Sequence, residues 1–329
     1  MMNRSVIPAY DAQGVRERSK DRPPHGVYAD LTELLKMEFK ARGFSFLPRQ
    51  PVHSILAGRH ASRLRGRGLN FEEIRRYLPG DDIRNMDWRV TARTRSPHVR
   101  VYTEERDRPC LLVVDQRLGM FFGTRRCMKS VAAAEAAALA AWRVFHAGDR
   151  VGAIVFNDKE VAEIAPHRSR QRVMQILQAI ITKNHELRSN PGWTGNPGML
   201  NTALARAVRL AKHDCLVCII AGGGGADEET VRLSTQIAAH NDVIVAFVYD
   251  PMEVDLPPGS RLIFTDGELQ MEVDGRNTRL REGFNREFQQ RLEWMRHITR
   301  QRQTPLIPLS TERDVAAQIR DLLQPRGKR

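Results

Sequence analysis

The run Pro109-Cys-Leu-Leu-Val-Val-Asp115 narrows the folds open to this chain more than any other stretch. Cys110 to Val114 is unbroken apolar sequence with β-branched residues, closed by a proline before and a carboxylate after. A strand reads that way when both of its faces are covered, as in a parallel sheet. An Ala-rich helical pattern, Lys129 to His146, follows after a loop. Strand, loop and helix place Asp115 at the carboxyl end of a central strand, where open α/β sheets keep their ligand crevice.

Further strands are expected at Val151–Phe156, Val161–Ile164, Cys215–Ala221 and Val243–Tyr249, the second as a hairpin edge after Asn157-Asp158. Helices are expected from about Arg125 to His146, Gln171 to Lys183, Met199 to Lys212 and Asp227 to His240. The order β-α-β-β-α-α-β-α-β predicts an α/β fold: a mostly parallel sheet with helices on both faces. Before it, Asp30 or Thr32 caps a helix with Leu31, Leu34, Leu35 and Phe39 on one stripe, ended by Gly43. After it, Asp266-Gly267 signals a hairpin. Thr278 to about Gln301 follows as a long charged helix with Phe284, Phe288, Leu292, Met295 and Ile298 inward. Pro305–Leu309 is a last strand, and Thr311 caps a final helix to Leu323. Residues 1–26 read as a disordered leader and 27–108 as a helix plus Arg-rich accessory segment. The α/β core takes 109–255, and 256–329 complete it.

At 329 residues the chain suffices for one large core and an accessory unit. No apolar run reaches the roughly 18 residues of a membrane span. The N-terminus lacks the apolar centre of a signal peptide, and four cysteines are too few for a disulfide framework, so cytoplasmic residence is expected. A net charge of +13 invites nucleic acid or an acidic partner. The arginines are spread along the whole chain beside Asp and Glu, and aromatics are 6% of residues, so base-stacking platforms are scarce and a solvated basic surface or an acidic protein partner is favoured.

In the accessory segment, Asp81, Asp82 and Asp87 sit among Arg76, Arg84, Arg89 and Arg93. Two of these aspartates would form an acid–base pair in a hydrolase. No His or Ser nucleophile accompanies them and Leu-Pro-Gly-Asp-Asp is turn chemistry, so a structural ion-pair cluster is expected. Gly222 to Gly225 lacks the dinucleotide fingerprint, its sixth place being Asp227, and is expected to be a flexible loop. Cys215 and Cys218 lie three apart on a strand and face opposite sides, against redox use. No cofactor is expected.

The segment Arg76-Tyr77-Leu78-Pro79-Gly80-Asp81-Asp82-Ile83-Arg84, with Met86-Asp87-Trp88 and Thr91-Ala92-Arg93, resembles the signature of the domain of unknown function 58 family. Glu104-Glu105, Asp115, Phe122-Gly123, Lys129 and Gly148-Asp149-Arg150-Val151-Gly152 agree with it. The resemblance implies a sheet similar to von Willebrand factor A domains, which carries a metal-ion-dependent adhesion site. It also implies a non-enzymatic adaptor or assembly role beside a MoxR-type AAA+ ATPase. The implied motif is Asp-x-Ser-x-Ser, a Thr from a later loop and an Asp after a later strand, oxygens suited to a hard cation. Here Asp115 holds the first place, but Arg117, Gly119, Gly198 and Gly222 stand at the other four, none with a side-chain oxygen. A guanidinium near a divalent ion would cost about 4 kcal/mol per unit charge at 4 Å. The site is therefore read as degenerate, with no metal. Either Arg117 takes the metal's place beside Asp115, or it turns to solvent and backbone amides hold Asp115. The expected partner face is the sheet's carboxyl edge: Asp115, Arg117, Gly119, Trp193, Gly198, Met199 and Gly222.

Overall fold

Every residue of Cys110–Asp115 (β3), Val151–Phe156 (β4) and Leu216–Ala221 (β6) is buried. In the computed structural model these strands lie at the centre of one six-stranded sheet. The structure describes residues 26–42, 69–104, 109–188, 195–259, 261–265, 270–301 and 304–323. The leader expected over 1–26, apart from Gly26, lies outside them, as do Gly43 and Trp193.

The sheet runs β10-β7-β6-β3-β4-β5, with Val161–His167 (β5), Asp242–Tyr249 (β7) and Leu306–Ser310 (β10). All neighbours are parallel except β4 and β5. Numbered within the sheet this is the order 3-2-1-4-5-6 of doubly wound folds, with helices on both faces, consistent with a von Willebrand factor A-like arrangement. The crossover point lies between β3 and β6, so the crevice outside their carboxyl ends belongs to Asp115 and Gly222.

On one face pack Leu31–Ala41 (α1), Lys129–His146 (α3), Arg170–His185 (α4) and Val315–Leu323 (α9). On the other pack Met199–Leu210 (α5) and Glu228–Ala238 (α6). Phe288 and Met295 of Thr278–Gln301 (α8) cover Phe247 of β7. Alternation along the strands assigns the cysteines: Cys110 and Cys218 join the first core, Cys215 the second. α3 is buried nearly all round, which an Ala-rich helix permits because small side chains let the sheet and three helices approach it closely. Trp142 is the large exception, fully buried, its Nε1 donating to the Leu34 carbonyl at 3.3 Å.

Two antiparallel pairs stand outside this sheet. One joins Leu69–Arg76 (β1) to His98–Glu104 (β2), with the short helix Trp88–Thr94 (α2) in the connection. The other pairs Arg261–Thr265 (β8) with Gln270–Asp274 (β9), as the Asp-Gly signal predicts, after the short helix Pro251–Val254 (α7).

Three local expectations need correction. In α1 the inward positions are Leu34, Met37, Glu38 and Ala41, while Phe39 is 72% exposed. The stripe rotates because Glu38 is tolerated inside: Arg170 reaches it at 2.9 Å and His146 at 3.4 Å. The helix read from about Arg125 starts at Lys129, since Thr124 is taken up by Asp250. Thr311 does not cap the last helix; its hydroxyl donates to Asp250, and Asp314 caps instead through the Ala317 amide.

Candidate functional site at the carboxyl edge of the sheet

Asp115 ends β3 and bends its carboxylate back over the next two residues. Oδ1 accepts from the Arg117 amide at 3.0 Å, the turn that Asp side chains make with their own backbone. That turn delivers the Arg117 side chain to the same carboxylate. Nε donates to Oδ1 at 2.9 Å and Nη2 to Oδ2 at 2.7 Å, a bidentate pair that leaves both residues at least nine-tenths buried. Of the two arrangements open to the sequence, the structure has Arg117 paired with Asp115.

The guanidinium reaches further. Nη1 donates to the Pro197 carbonyl and Nη2 to the Gly224 carbonyl, both at 2.9 Å. Four donor contacts thus join the strand end to two other loops, and the ring of Phe156 lies below, 5.5 Å from the guanidinium carbon. Burial alone would push the guanidinium's pKa down; Asp115 and, beyond it, Asp158 raise it above its ordinary value instead.

Asp158 is a site residue that sequence reading missed. It stands just past β4, buried, with Oδ2 accepting from the Leu118 amide at 2.6 Å and Oδ1 from the Asn196 amide at 2.7 Å. It therefore ties the same two loops, 116–120 and 195–198, that Arg117 ties. Asp250, just past β7 and fully buried, does similar work on the neighbouring side. It accepts from the Thr124 amide and hydroxyl, the Met252 amide and the Thr311 hydroxyl. Lys129, also buried, pairs with the half-buried Glu253. The signal for Asp158 and Asp250 was position: each follows the carboxyl end of a parallel strand, as Asp115 does.

The four-glycine run is held in place. Gly223 and Gly225 adopt φ of +72° and +74°, a region where other residues are strained. A Cβ on Gly225 would stand 2.5 Å from Pro197 Cβ, so the two loops touch. Of the predicted partner face, Asp115, Arg117, Met199 and Gly222 are buried, whereas Gly119 and Gly198 are exposed. The first four shape this edge from beneath rather than presenting themselves on it.

The donor set does not suit a hard cation. Arg117 engages both oxygens of Asp115, and Arg117, Gly119, Gly198 and Gly222 bring no side-chain oxygen to this edge. Among the described residues no group of three His, Cys, Asp or Glu is arranged to hold a metal ion.

The signature aspartates lie elsewhere, in the connection between β1 and β2. Asp81 is gripped by both terminal nitrogens of Arg75 at 2.8 Å, and Arg100 Nε reaches Asp87 at 2.8 Å. The guanidinium partners are thus Arg75 and Arg100, not the expected Arg76, Arg84, Arg89 and Arg93. Asp82 caps a 3₁₀ turn through the Arg84 amide, and Asp87 caps α2 through the amides of Arg89 and Val90. Tyr77 donates its amide to the Pro97 carbonyl, and Gly80 takes φ of +106° in the turn; Trp88 is 66% exposed.

The Arg75 hydrogen bonds hold the Asp81 carboxyl below the usual range, and the Val90 amide, then Arg100, do so for Asp87. A depressed carboxyl stabilises the fold fully above its unfolded value near pH 3.9, and that contribution fades as pH falls through the folded value. Amide exchange corrected for intrinsic rate is therefore expected to show residues 88–94 losing protection before β3 as pH drops below about 4. Equal protection of the two segments down to about pH 2 would contradict this bracing.

The model of the family "Protein of unknown function DUF58" matches residues 73–293. Uncharacterized proteins of Mycobacterium bovis (Mb1516) and Mycobacterium tuberculosis (Rv1480) are each 30% identical to this chain over 301 residues. Each match covers 90% of this chain and 92% of the relative. The crystal structure of the conserved hypothetical protein BatB from Bacteroides thetaiotaomicron superposes with a TM-score of 0.40 and 14% identity, covering 66% of this chain and 96% of that one.

Proposed function

The chain belongs to the DUF58 family of proteins of unknown function, and from that premise we propose that it is a non-enzymatic protein-interaction partner of a MoxR-type AAA+ ATPase, acting in assembly or maturation of client proteins. The observation that carries this reading is the Arg117 guanidinium at the sheet's crossover point, bound to Asp115 and to the carbonyls of Pro197 and Gly224. In an adhesion-type site a cation bridges the domain to its partner's carboxylate. Here a fixed side-chain cation holds the loops in one arrangement, so recognition falls to the shape of Gly119, Pro197, Gly198, Gly224 and Gly225 above it. The ATPase as partner rests on the family resemblance. Four buried free thiols suit a reducing cytoplasm, and no helix among the described residues is long and apolar enough to cross a membrane.

The hydrolase alternative assigns acid–base work to Asp81, Asp82 and Asp87. Asp81 and Asp87 are held as charged acceptors by guanidinium groups and helix-start amides, which suits bracing better than proton donation.

Affinity purification tests the proposal. Tagged wild-type protein is expected to retain a AAA+ ATPase, and the Asp115→Ala/Arg117→Ala double variant to lose most of it while remaining folded. Failure of wild type to retain any ATPase would remove the companion reading; equal retention by both proteins would move the docking site off this edge.

A further inference from the structure

The connection between β1 and β2, residues 77–97, braces itself on Asp81 and Asp87 and turns its arginines outward. Asp81 and Asp87 are consumed by Arg75, Arg100 and backbone amides. On the outside stand Leu78, Ile83 and Trp88, exposed by 59%, 62% and 66%. The exposure of Trp88 follows from how α2 sits. Thr91 Oγ1 accepts the His98 amide at 2.9 Å, so Val90 and Thr91 face β2. The opposite face, one helical turn of Trp88 and Ala92 beside Arg89 and Arg93, is left to solvent. Arg76, Arg84 and Arg95 are exposed as well, and none of these five arginines has a carboxylate partner among the described residues. The one exposed carboxylate of the connection is Asp82.

Single exposed apolar residues are ordinary, but three large ones within one short connection, among exposed arginines with no carboxylate partner among the described residues, have the composition of an interaction patch. Trp and Arg are the residue types that dominate the energetic centres of protein interfaces. We propose that this connection is a docking surface for an acidic protein segment that carries large apolar anchors. Carboxylates of the segment would meet Arg84, Arg89 and Arg93, and its apolar side chains would cover Leu78, Ile83 and Trp88. Charge complementarity selects the sign of the partner. Leu78 and Ile83 select its class, since aliphatic side chains offer nothing to a phosphate backbone. α2, with seven residues and one large apolar side chain on its outer face, is too short to lie in a bilayer surface. This surface is separate from the sheet edge and stands whether or not an ATPase docks there.

The test is a selection of displayed random peptides against the immobilised full-length chain. Vesicles of phosphatidylserine and phosphatidylcholine and an oligothymidine strand serve as parallel probes. The selected peptides are expected to carry net negative charge and two or more of Leu, Ile, Phe or Trp. Trp88→Ala, and separately Arg89→Glu/Arg93→Glu, are expected to weaken their binding at least about tenfold, with thermal stability little changed because these side chains are largely exposed. Binding should also fall with added salt, because Arg84, Arg89 and Arg93 are exposed. Three outcomes overturn the proposal: no enriched peptide, enrichment without acidic bias, or acidic peptides that bind the variants as tightly as wild type. Vesicle or oligonucleotide binding that depends on Trp88, with no peptide enriched, would assign the surface to lipid or nucleic acid instead.

Discussion

Arg117→Ala is expected to destabilise the protein by about 3–5 kcal/mol, because it leaves Asp115 as a buried charge with no counter-charge. In a domain of this size that corresponds to a fall in Tm of roughly 10 °C. The guanidinium also satisfies the carbonyls of Pro197 and Gly224, so the loss is not confined to one pair. Arg117→Lys keeps the charge but not the fork, and is expected to recover only part of the loss. Asp115→Ala alone should cost a similar amount, since it strands the guanidinium. The double variant should cost clearly less than the sum of the two, as residues sharing one interaction do. Additive losses in that cycle, each below about 1 kcal/mol, would mean that the pair neither charges nor fastens this edge.

Trp142→Ala is the second large effect, expected at about 3–5 kcal/mol. The indole is fully buried on α3, donates to the Leu34 carbonyl of α1 and lies under the Arg170 guanidinium at 4.8 Å. Its removal empties the space between α1 and α3 and deletes the one side-chain hydrogen bond that the indole makes to α1. Helix α1, an outer layer held by this contact and by Glu38 with Arg170, should lose amide protection well before β3 does. Loss of less than about 1 kcal/mol, or α1 protection unchanged, would show that α1 is held elsewhere.

The strands of the sheet were legible because fully apolar runs bounded by Pro, Gly or Asp admit few other readings. Val151–Phe156 matches residue for residue, and the alternation of Cys215 and Cys218 between the two cores follows from strand geometry alone. What the sequence hid was pairing across distance. The Arg117 side chain had two plausible destinations, and only the approach of the 195–198 and 222–225 loops decides between them. Arg75 reaches Asp81 across the turn that follows β1, and Arg100 reaches Asp87 from β2. Glu38 concealed the inner face of α1, since a carboxylate reads as solvent-facing until its partner Arg170 is known. Asp158 and Asp250 are legible in the same way as Asp115, since each stands at or just past the carboxyl end of a parallel strand.

The Arg117 guanidinium occupies both oxygens of Asp115, which leaves that carboxylate unsuited to a divalent cation. Calorimetric titration of the full chain with Mg²⁺ and with Mn²⁺, at low ionic strength, tests it most directly. Heats of dilution alone are the predicted result, for wild type and for Asp115→Ala alike. Micromolar binding in wild type that disappears in Asp115→Ala would contradict it.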